Sequence, residues 1–173
     1  MVNVNEPTCG FDMGKFRAFC DGHAIVFPQA LVDYLMQHND GELESNVIHF
    51  PDNEYYIRYF YGTTDKNYSD IALNYEWYAD RLPPKCIPIA DPDFGNQICM
   101  SVAPESYGKI YFWDHETMDT EDDEPCVLRL EDMILLADSL EALFEKILDS
   151  PVEPNESSKK VSWRSRLLSL WRK

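Results

Sequence analysis

The sequence lacks the features that mark membrane and secreted proteins. No apolar run approaches the ~20 residues that a helix needs to span a bilayer. Residues 1–14 combine neither a basic start nor an apolar stretch, so we expect no secretory signal. These absences predict a cytoplasmic protein without integral membrane association.

Disulfide and zinc-binding patterns are also missing. The 5 cysteines are scattered, and no two are spaced as C-x-x-C, which argues against both a disulfide framework and a zinc ribbon. Cys86 and Cys99 lie inside apolar runs, so we expect small buried thiols there.

Motifs of common active sites are absent as well. The sequence has no G-x-S-x-G, no P-loop and no G-x-G-x-x-G, and its 4 histidines show no H-E-x-x-H spacing. Asp91 with Asp93, and Asp114-His115-Glu116, are the remaining candidates for a metal or acid–base site. Carboxylates in turns ordinarily bond to their own backbone. We therefore predict no catalytic residue, no metal, no cofactor and no small-molecule substrate; a hydrolase is the least favoured hypothesis.

Positive charge is scarce except at the C-terminal end. Residues 1–156 carry 9 basic and 31 acidic side chains, a net charge of −22, whereas residues 157–173 carry 6 basic and no acidic ones. The acidic part repels nucleic acid and anionic membranes and attracts basic proteins. The sequence thus predicts no nucleic-acid partner, although a high net charge also serves solubility alone.

The sequence is rich enough in apolar residues for one folded domain, since 45% are hydrophobic and 13% aromatic. Apolar side chains at helical spacing predict a helix over 28–39, with Pro28 at its first position. Asn39-Asp40-Gly41 would end it in a left-handed cap. Residues 1–22 show no clear period and are predicted to be irregular or short-stranded.

Strand-forming residues follow at 46–50 and 54–61. In the second of these segments the tyrosines alternate with other large side chains, which predicts that both faces are covered. Ser69 is a suitable cap for the next helix, which is predicted to end near Asp80.

The second half predicts an antiparallel meander, because short strands alternate with turns of hairpin length. The predicted strands are 85–90, 97–102, 109–113 and a short one within 126–137. Asp138 and Glu141, spaced as a capping box, begin a final helix.

Surface features suggest where a partner binds. Trp77 lies off the apolar face of its helix, beside Glu76 and near Asp80, and a tryptophan on a polar face is a candidate interface anchor. The alternatives are that the helix is rotated differently, so that Trp77 lies on its buried face, or that the sheet covers Trp77. With the turn at 91–96 and the acidic loop at 117–124, the predicted partner-binding residues are Glu76, Trp77, Asp80, Asp91, Asp93, Asp114, Glu116, Asp119, Glu121, Asp122, Asp123 and Glu124.

Five motifs in order resemble the SUKH superfamily, over about 27–148. They are Phe27-Pro28 with Tyr34-Leu35 and Asn39-Asp40-Gly41, then 81–90, 94–100, 107–116, and Ala137-Asp138-Ser139-Leu140 with Leu143 and Phe144. Three positions depart from the family pattern. Asn39-Asp40-Gly41 replaces a double glycine, Leu140 replaces an aromatic residue, and Ser101 stands where many members have an acidic residue.

The resemblance implies a single α+β domain with a mostly antiparallel sheet flanked by helices, here residues 1–150. It also implies an immunity protein that binds and neutralises a cognate secreted or contact-dependent bacterial toxin domain, often a nuclease. The acidic charge of residues 1–156 further predicts that this partner is basic. The alternative is an intracellular adaptor or regulatory domain without a toxin target.

Residues 151–158 read as a linker, and residues 159–173 as a basic amphipathic tail. Trp163, Leu167, Leu170 and Trp171 fall on one face of a helix, which suits weak contact with an anionic membrane surface or a partner groove. A tail that docks onto the chain's own acidic domain, or one that is weakly ordered, is favoured over both.

A liposome-sedimentation assay separates these alternatives for the tail. A tail that docks on its own domain should leave the full chain and a 1–156 truncation equally partitioned on anionic vesicles. Greater sedimentation of the full chain would instead favour the membrane.

Overall fold

The structure is a computed structural model that describes residues 4–7, 9–44, 46–49, 54–92, 95–115 and 128–149. These residues form four α-helices, a two-stranded sheet and a five-stranded sheet, so the predicted α+β class is confirmed. The linker at 151–158 and the tail at 159–173 lie outside the described residues.

The first helix, α1 (Met13–His23), corrects the prediction that residues 1–22 are irregular. The carboxylate of Asp12 caps it by accepting the N–H groups of Gly14 and Lys15, at 2.9 and 3.0 Å. Phe16 and Phe19 are its buried residues. This apolar stripe is too short to give a clear helical period, so the sequence pattern did not indicate the helix.

The second helix, α2 (Gln29–His38), confirms the helix predicted over 28–39. Leu31, Tyr34 and Leu35 form its buried face. The predicted left-handed cap is wrong, because Asn39 has φ 16° and ψ −135°. The helix ends there because the Asn39 side chain, 2% exposed, turns inward to bind other segments.

The strand predicted over 54–61 is divided between two sheets. β1 (Val47–His49) pairs with β2 (Glu54–Tyr56), whereas β3 (Tyr59–Phe60) pairs with β4 (Cys86–Asp91) of the larger sheet. The expected coverage of both faces is wrong for its first half. Tyr55 and Ile57 are buried while Tyr56 and Arg58 are exposed.

The predicted meander is confirmed in the described part of the chain. β3 to β7 follow one another across the larger sheet, and each pairs antiparallel with the next. The other strands of this sheet are β4 (Cys86–Asp91), β5 (Gln97–Ser101), β6 (Ile110–Trp113) and β7 (Ile134–Ala137).

This sheet is packed on both faces. One face joins α1, α2 and the last helix in the main core through residues such as Ile89, Ile98 and Phe112. The other face carries a smaller cluster that includes Cys99 and Trp113. The expected burial of Cys86 and Cys99 is confirmed, with 1% and 0% exposed.

Two helix starts differ from the predictions by one residue. The third helix, α3 (Ile71–Tyr78), is capped by Asp70 rather than Ser69, because the Asp70 carboxylate reaches the N–H groups of Ala72 and Leu73. Before the last helix, α4 (Leu140–Asp149), the Ser139 hydroxyl accepts the Ala142 N–H at 3.2 Å. Asp138, predicted as the capping residue, is exposed and pairs with Lys109.

The Asn39 amide joins three segments of the chain. Its oxygen accepts the N–H of Thr63 at 3.0 Å, and its nitrogen donates to the carbonyl oxygens of Thr63 and Cys9, both at 3.2 Å. Gly62 packs so closely that a Cβ atom there would overlap the Asn39 side chain. The backbone of Gly62 also bonds to Ser69 and Ile71 at the start of α3, both at 2.9 Å.

We expect Gly62→Ala to lower the free energy of unfolding by about 1–3 kcal/mol, since the added methyl group must displace the Asn39 amide. Gly22→Ala is the matched control, because a Cβ atom at Gly22 meets no atom within 4 Å. That control, inside α1, should leave stability unchanged or raise it by about 0.5–1 kcal/mol. Urea denaturation measures both, and equal stabilities of the two variants would contradict this account.

Candidate protein-binding site

The site is built on α3, which turns one side of the helix inward and leaves the other in solvent. Ile71 and Asn74 are buried, and the Asn74 amide donates to the carbonyl oxygens of Tyr68 and Asp70 at 3.1 and 2.8 Å. Glu76 and Trp77 lie on the outer side. Trp77 remains 49% exposed, so the sheet does not cover it.

The end of α3 is fixed against the second face of the sheet. Tyr78 meets Trp113 edge to face, with ring centroids 5.5 Å apart. The Arg81 guanidinium lies 5.0 Å from the Tyr78 centroid and 5.4 Å from that of Trp113, and it also donates to the Trp77 carbonyl. These contacts hold the Trp77 backbone still while its indole stays accessible.

A cleft of about 250 Å³ opens beside Trp77. Its lining is mainly aromatic and amide side chains, with one acidic and one basic residue. The lining residues are Arg58, Tyr59, Tyr61, Tyr68, Asn74, Trp77, Tyr78, Asp91, Gly95 and Gln97.

The deepest residues of the cleft are held by hydrogen bonds. Tyr61, 2% exposed, donates to the Gln97 side-chain oxygen at 2.8 Å. Burial raises the pKa of Tyr61, and burial together with a hydrogen bond to Asp91 raises that of Tyr59. Both phenols therefore stay protonated at neutral pH and act as donors.

Asp91 reaches the cleft from the end of β4. It stands directly opposite Tyr59 in the β3–β4 pairing, and its carbonyl oxygen accepts the Arg58 N–H at 2.8 Å. Its side chain is half-buried. The cleft thus combines a carboxylate on a rigid strand with the exposed indole of α3.

A second cavity of about 290 Å³ adjoins the cleft and shares Arg58, Tyr59 and Tyr68 with it. Its polar residues include Asp40, whose side chain is 1% exposed and pairs with Lys66 at 3.0 Å. That hydrogen bond raises the pKa of Lys66. The adjoining cavity therefore contains an ion pair with a buried carboxylate, close to Tyr59 and Tyr68.

The predicted site residues divide into four groups. Trp77 and Asp91 line the cleft, and Glu76 and Asp80 are exposed beside it on α3 and the turn that follows. Asp114 is half-buried and does not line the cleft. The others lie outside the described residues; they are Asp93, Glu116, Asp119, Glu121, Asp122, Asp123 and Glu124.

His115 has a structural contact. Its Nδ1 lies 2.8 Å from the Asn96 side-chain oxygen, which also accepts the His115 backbone N–H. No three potential metal ligands of the His, Cys, Asp and Glu types come together among the described residues.

Five further residues of the cleft were not indicated by the sequence patterns; they are Arg58, Tyr59, Tyr61, Tyr68 and Gln97. The high density of tyrosines at 55–61 was the available signal, but it was interpreted only as a strand. Their convergence depends on the β3–β4 pairing and on the turn into α3, which bring distant segments together.

A wider and shallower concavity of about 680 Å³ lies at β7, lined in part by Tyr111, Met133 and Leu135. Leu135 is 43% exposed there. No predicted site residue within the described ranges lines it. The cleft beside Trp77 therefore remains the better candidate.

We expect Tyr61→Phe to destabilise the protein by about 1–3 kcal/mol, because it leaves the buried Gln97 oxygen without its donor. Tyr68→Phe is the control, since Tyr68 is 58% exposed and its change should stay within about 0.5 kcal/mol. Urea denaturation compares the two variants. A Tyr61→Phe protein as stable as the wild type would show that the floor of the cleft is not fixed by this bond.

No helix among the described residues is long and apolar enough to cross a membrane.

The chain is 33% identical over 97 residues to the SPbeta prophage-derived uncharacterized protein YokK of Bacillus subtilis (strain 168). That alignment covers 56% of this chain and 44% of the relative, so the chain matches less than half of that protein's length. The SMI1 / KNR4 family (SUKH-1) matches residues 19–146, and the chain therefore belongs to this family.

Proposed function

We propose that the protein is an immunity protein of the cytoplasm that binds a cognate bacterial toxin domain and blocks it by stoichiometric association. Membership of the SMI1 / KNR4 family is consistent with an immunity-type protein. The observation that carries the proposal is the half-exposed Trp77 at the mouth of an aromatic cleft, with Glu76 and Asp80 beside it. The proposed inhibition requires no catalytic group, only occupation of the partner.

Trp77 has the properties of an interface anchor. Tryptophan and tyrosine dominate the binding energy of many interfaces because they bury a large area with few rotatable bonds. The backbone of Trp77 is fixed by the contacts of Arg81 and Tyr78. A partner that covers the indole therefore loses little entropy in ordering this part of the surface.

Charge supports a basic toxin, with a nuclease as the fitting class. Residues 1–156 have a net charge of −22, and a nuclease needs a positive surface to bind the phosphate backbone. Opposite potentials accelerate the encounter and favour the correct orientation. The acidic side chains beside Trp77 would place that attraction next to the anchor.

Co-expression tests the proposal directly. A toxin domain encoded beside this gene should arrest growth when expressed alone, and co-expression of this protein should restore growth and yield a 1:1 complex. Absence of both rescue and binding would contradict the proposal. Recovery of the cell's own proteins in pull-downs without any toxin would favour an adaptor instead.

Charge reversal near the cleft should slow association more than the same change elsewhere. We expect Glu76→Lys to reduce the association rate by about tenfold, because it places a positive charge beside Trp77. Glu145→Lys is the matched control, since Glu145 is also exposed but lies on α4. Stopped-flow fluorescence measures both rates.

The association rate of the wild-type complex should also fall as salt is raised, because salt screens exposed charges. A salt-insensitive rate, or equal effects of the two charge reversals, would show that the acidic surface around Trp77 does not guide the partner.

A further inference from the structure

We propose that the cleft beside Trp77 binds one cationic side chain of the partner, with a guanidinium group as the best fit. This inference rests on the proposed function, because it names the chemical group that the partner inserts at the proposed interface. Its elements are the Asp91 carboxylate, the Trp77 indole and the tyrosines of the cleft.

Size favours a side chain over a separate small molecule. The cleft holds about 250 Å³, which is below the roughly 300–1,000 Å³ of typical ligand pockets. Its floor is closed by Tyr61 and Gln97, which are both 2% exposed and bonded to each other. A guest therefore enters from the exposed rim and must be short and narrow.

Asp91 supplies the charge that selects a cation. It is the only acidic residue lining the described cleft. A carboxylate has several acceptor positions, so Asp91 can accept a donor from the guest in addition to the hydrogen bonds that it makes within the protein. Guanidinium matches this geometry best, because it can donate two parallel hydrogen bonds to one carboxylate.

The aromatic walls supply the second contact. Cations are attracted to the faces of aromatic rings, with tryptophan the strongest. The protein already uses this contact nearby, since the Arg81 guanidinium lies 5.0 Å from the Tyr78 ring centroid and the Arg58 guanidinium 5.6 Å from that of Tyr59. A guest guanidinium between Trp77 and Asp91 would repeat it with the indole as the platform.

Arg58 is the group that opposes a cationic guest. It lines both the cleft and the adjoining cavity, and its guanidinium lies 4.0 Å from the Glu42 carboxylate. Glu42 thus offsets part of the Arg58 charge. Removing the Arg58 charge should tighten binding of a cation and weaken binding of an anion. Tighter binding after this substitution therefore identifies the guest as a cation, and weaker binding identifies it as an anion.

The test uses the full chain and two probes of the same shape, N-acetyl-arginine methylamide and its neutral analogue N-acetyl-citrulline methylamide. Binding is followed by the indole N–H resonance of Trp77 and by tryptophan fluorescence. We expect saturable binding of the arginine probe and at least fivefold weaker binding of the citrulline probe.

Three variants sharpen the measurement. Asp91→Asn keeps the size of the side chain but removes its charge, and it should weaken binding of the arginine probe at least fivefold. Asp80→Asn removes the same charge from an exposed position outside the cleft and should change binding less than twofold. Arg58→Gln should strengthen binding. Near-UV circular dichroism verifies that each variant is folded.

Equal binding of the two probes, equal effects of the two aspartate substitutions, or stronger binding of N-acetyl-glutamate methylamide would overturn the inference. If the cognate toxin still binds Asp91→Asn as tightly as wild type, the cation site is wrong while the proposed function stands. If the arginine probe binds as expected but no toxin does, the site stands and the proposed function fails.

Discussion

Three distant segments of the chain meet at the Asn39 amide. Because an amide both donates and accepts, it bonds to both backbone polar groups of Thr63 and also to the carbonyl of Cys9. Gly62, which packs against this amide, bonds on its other side to the first residues of α3. The positions of β3 and α3 therefore both depend on how well this one buried polar group is satisfied.

The candidate binding cleft depends on the same contacts. Its deep tyrosines come from β3 and the residue that follows it, and its indole comes from α3. Within the cleft the roles separate by burial. Tyr61 is fixed to Gln97 and contributes to the stability of the fold, whereas Trp77 keeps half of its surface in solvent. A site of this kind combines a rigid floor with an accessible rim.

Local sequence patterns predicted the elements that depend on local causes. The meander followed from turns between short strands, and the outward position of Trp77 followed from the helical period. The patterns failed where a distant contact decides the structure. Asn39 looked like an ordinary helix end, because its partners at Cys9 and Thr63 are far away in sequence.

The residues of the candidate cleft were predictable only in part, because local patterns do not show contacts between distant segments. Trp77 and Asp91, which line the cleft, were among the predicted partner-binding residues because Trp77 lies off the apolar face of its helix and Asp91 begins a turn. Tyr59 and Tyr61 were missed because a tyrosine in a strand looks the same whether it lines a cleft or fills a core. Only the pairing of Tyr59 with Asp91 shows the difference.

The two-sided packing of the large sheet has a consequence for how this protein changes over evolution. Central strands that are buried on both faces tolerate few substitutions, since almost any change there opens a void or strains a neighbour. Glu76 and Trp77 on the outer side of α3 are exposed, so this packing does not restrict substitutions there. Under the proposed function, substitutions on this rim change the contacts with the partner while they leave the packed core of the sheet untouched.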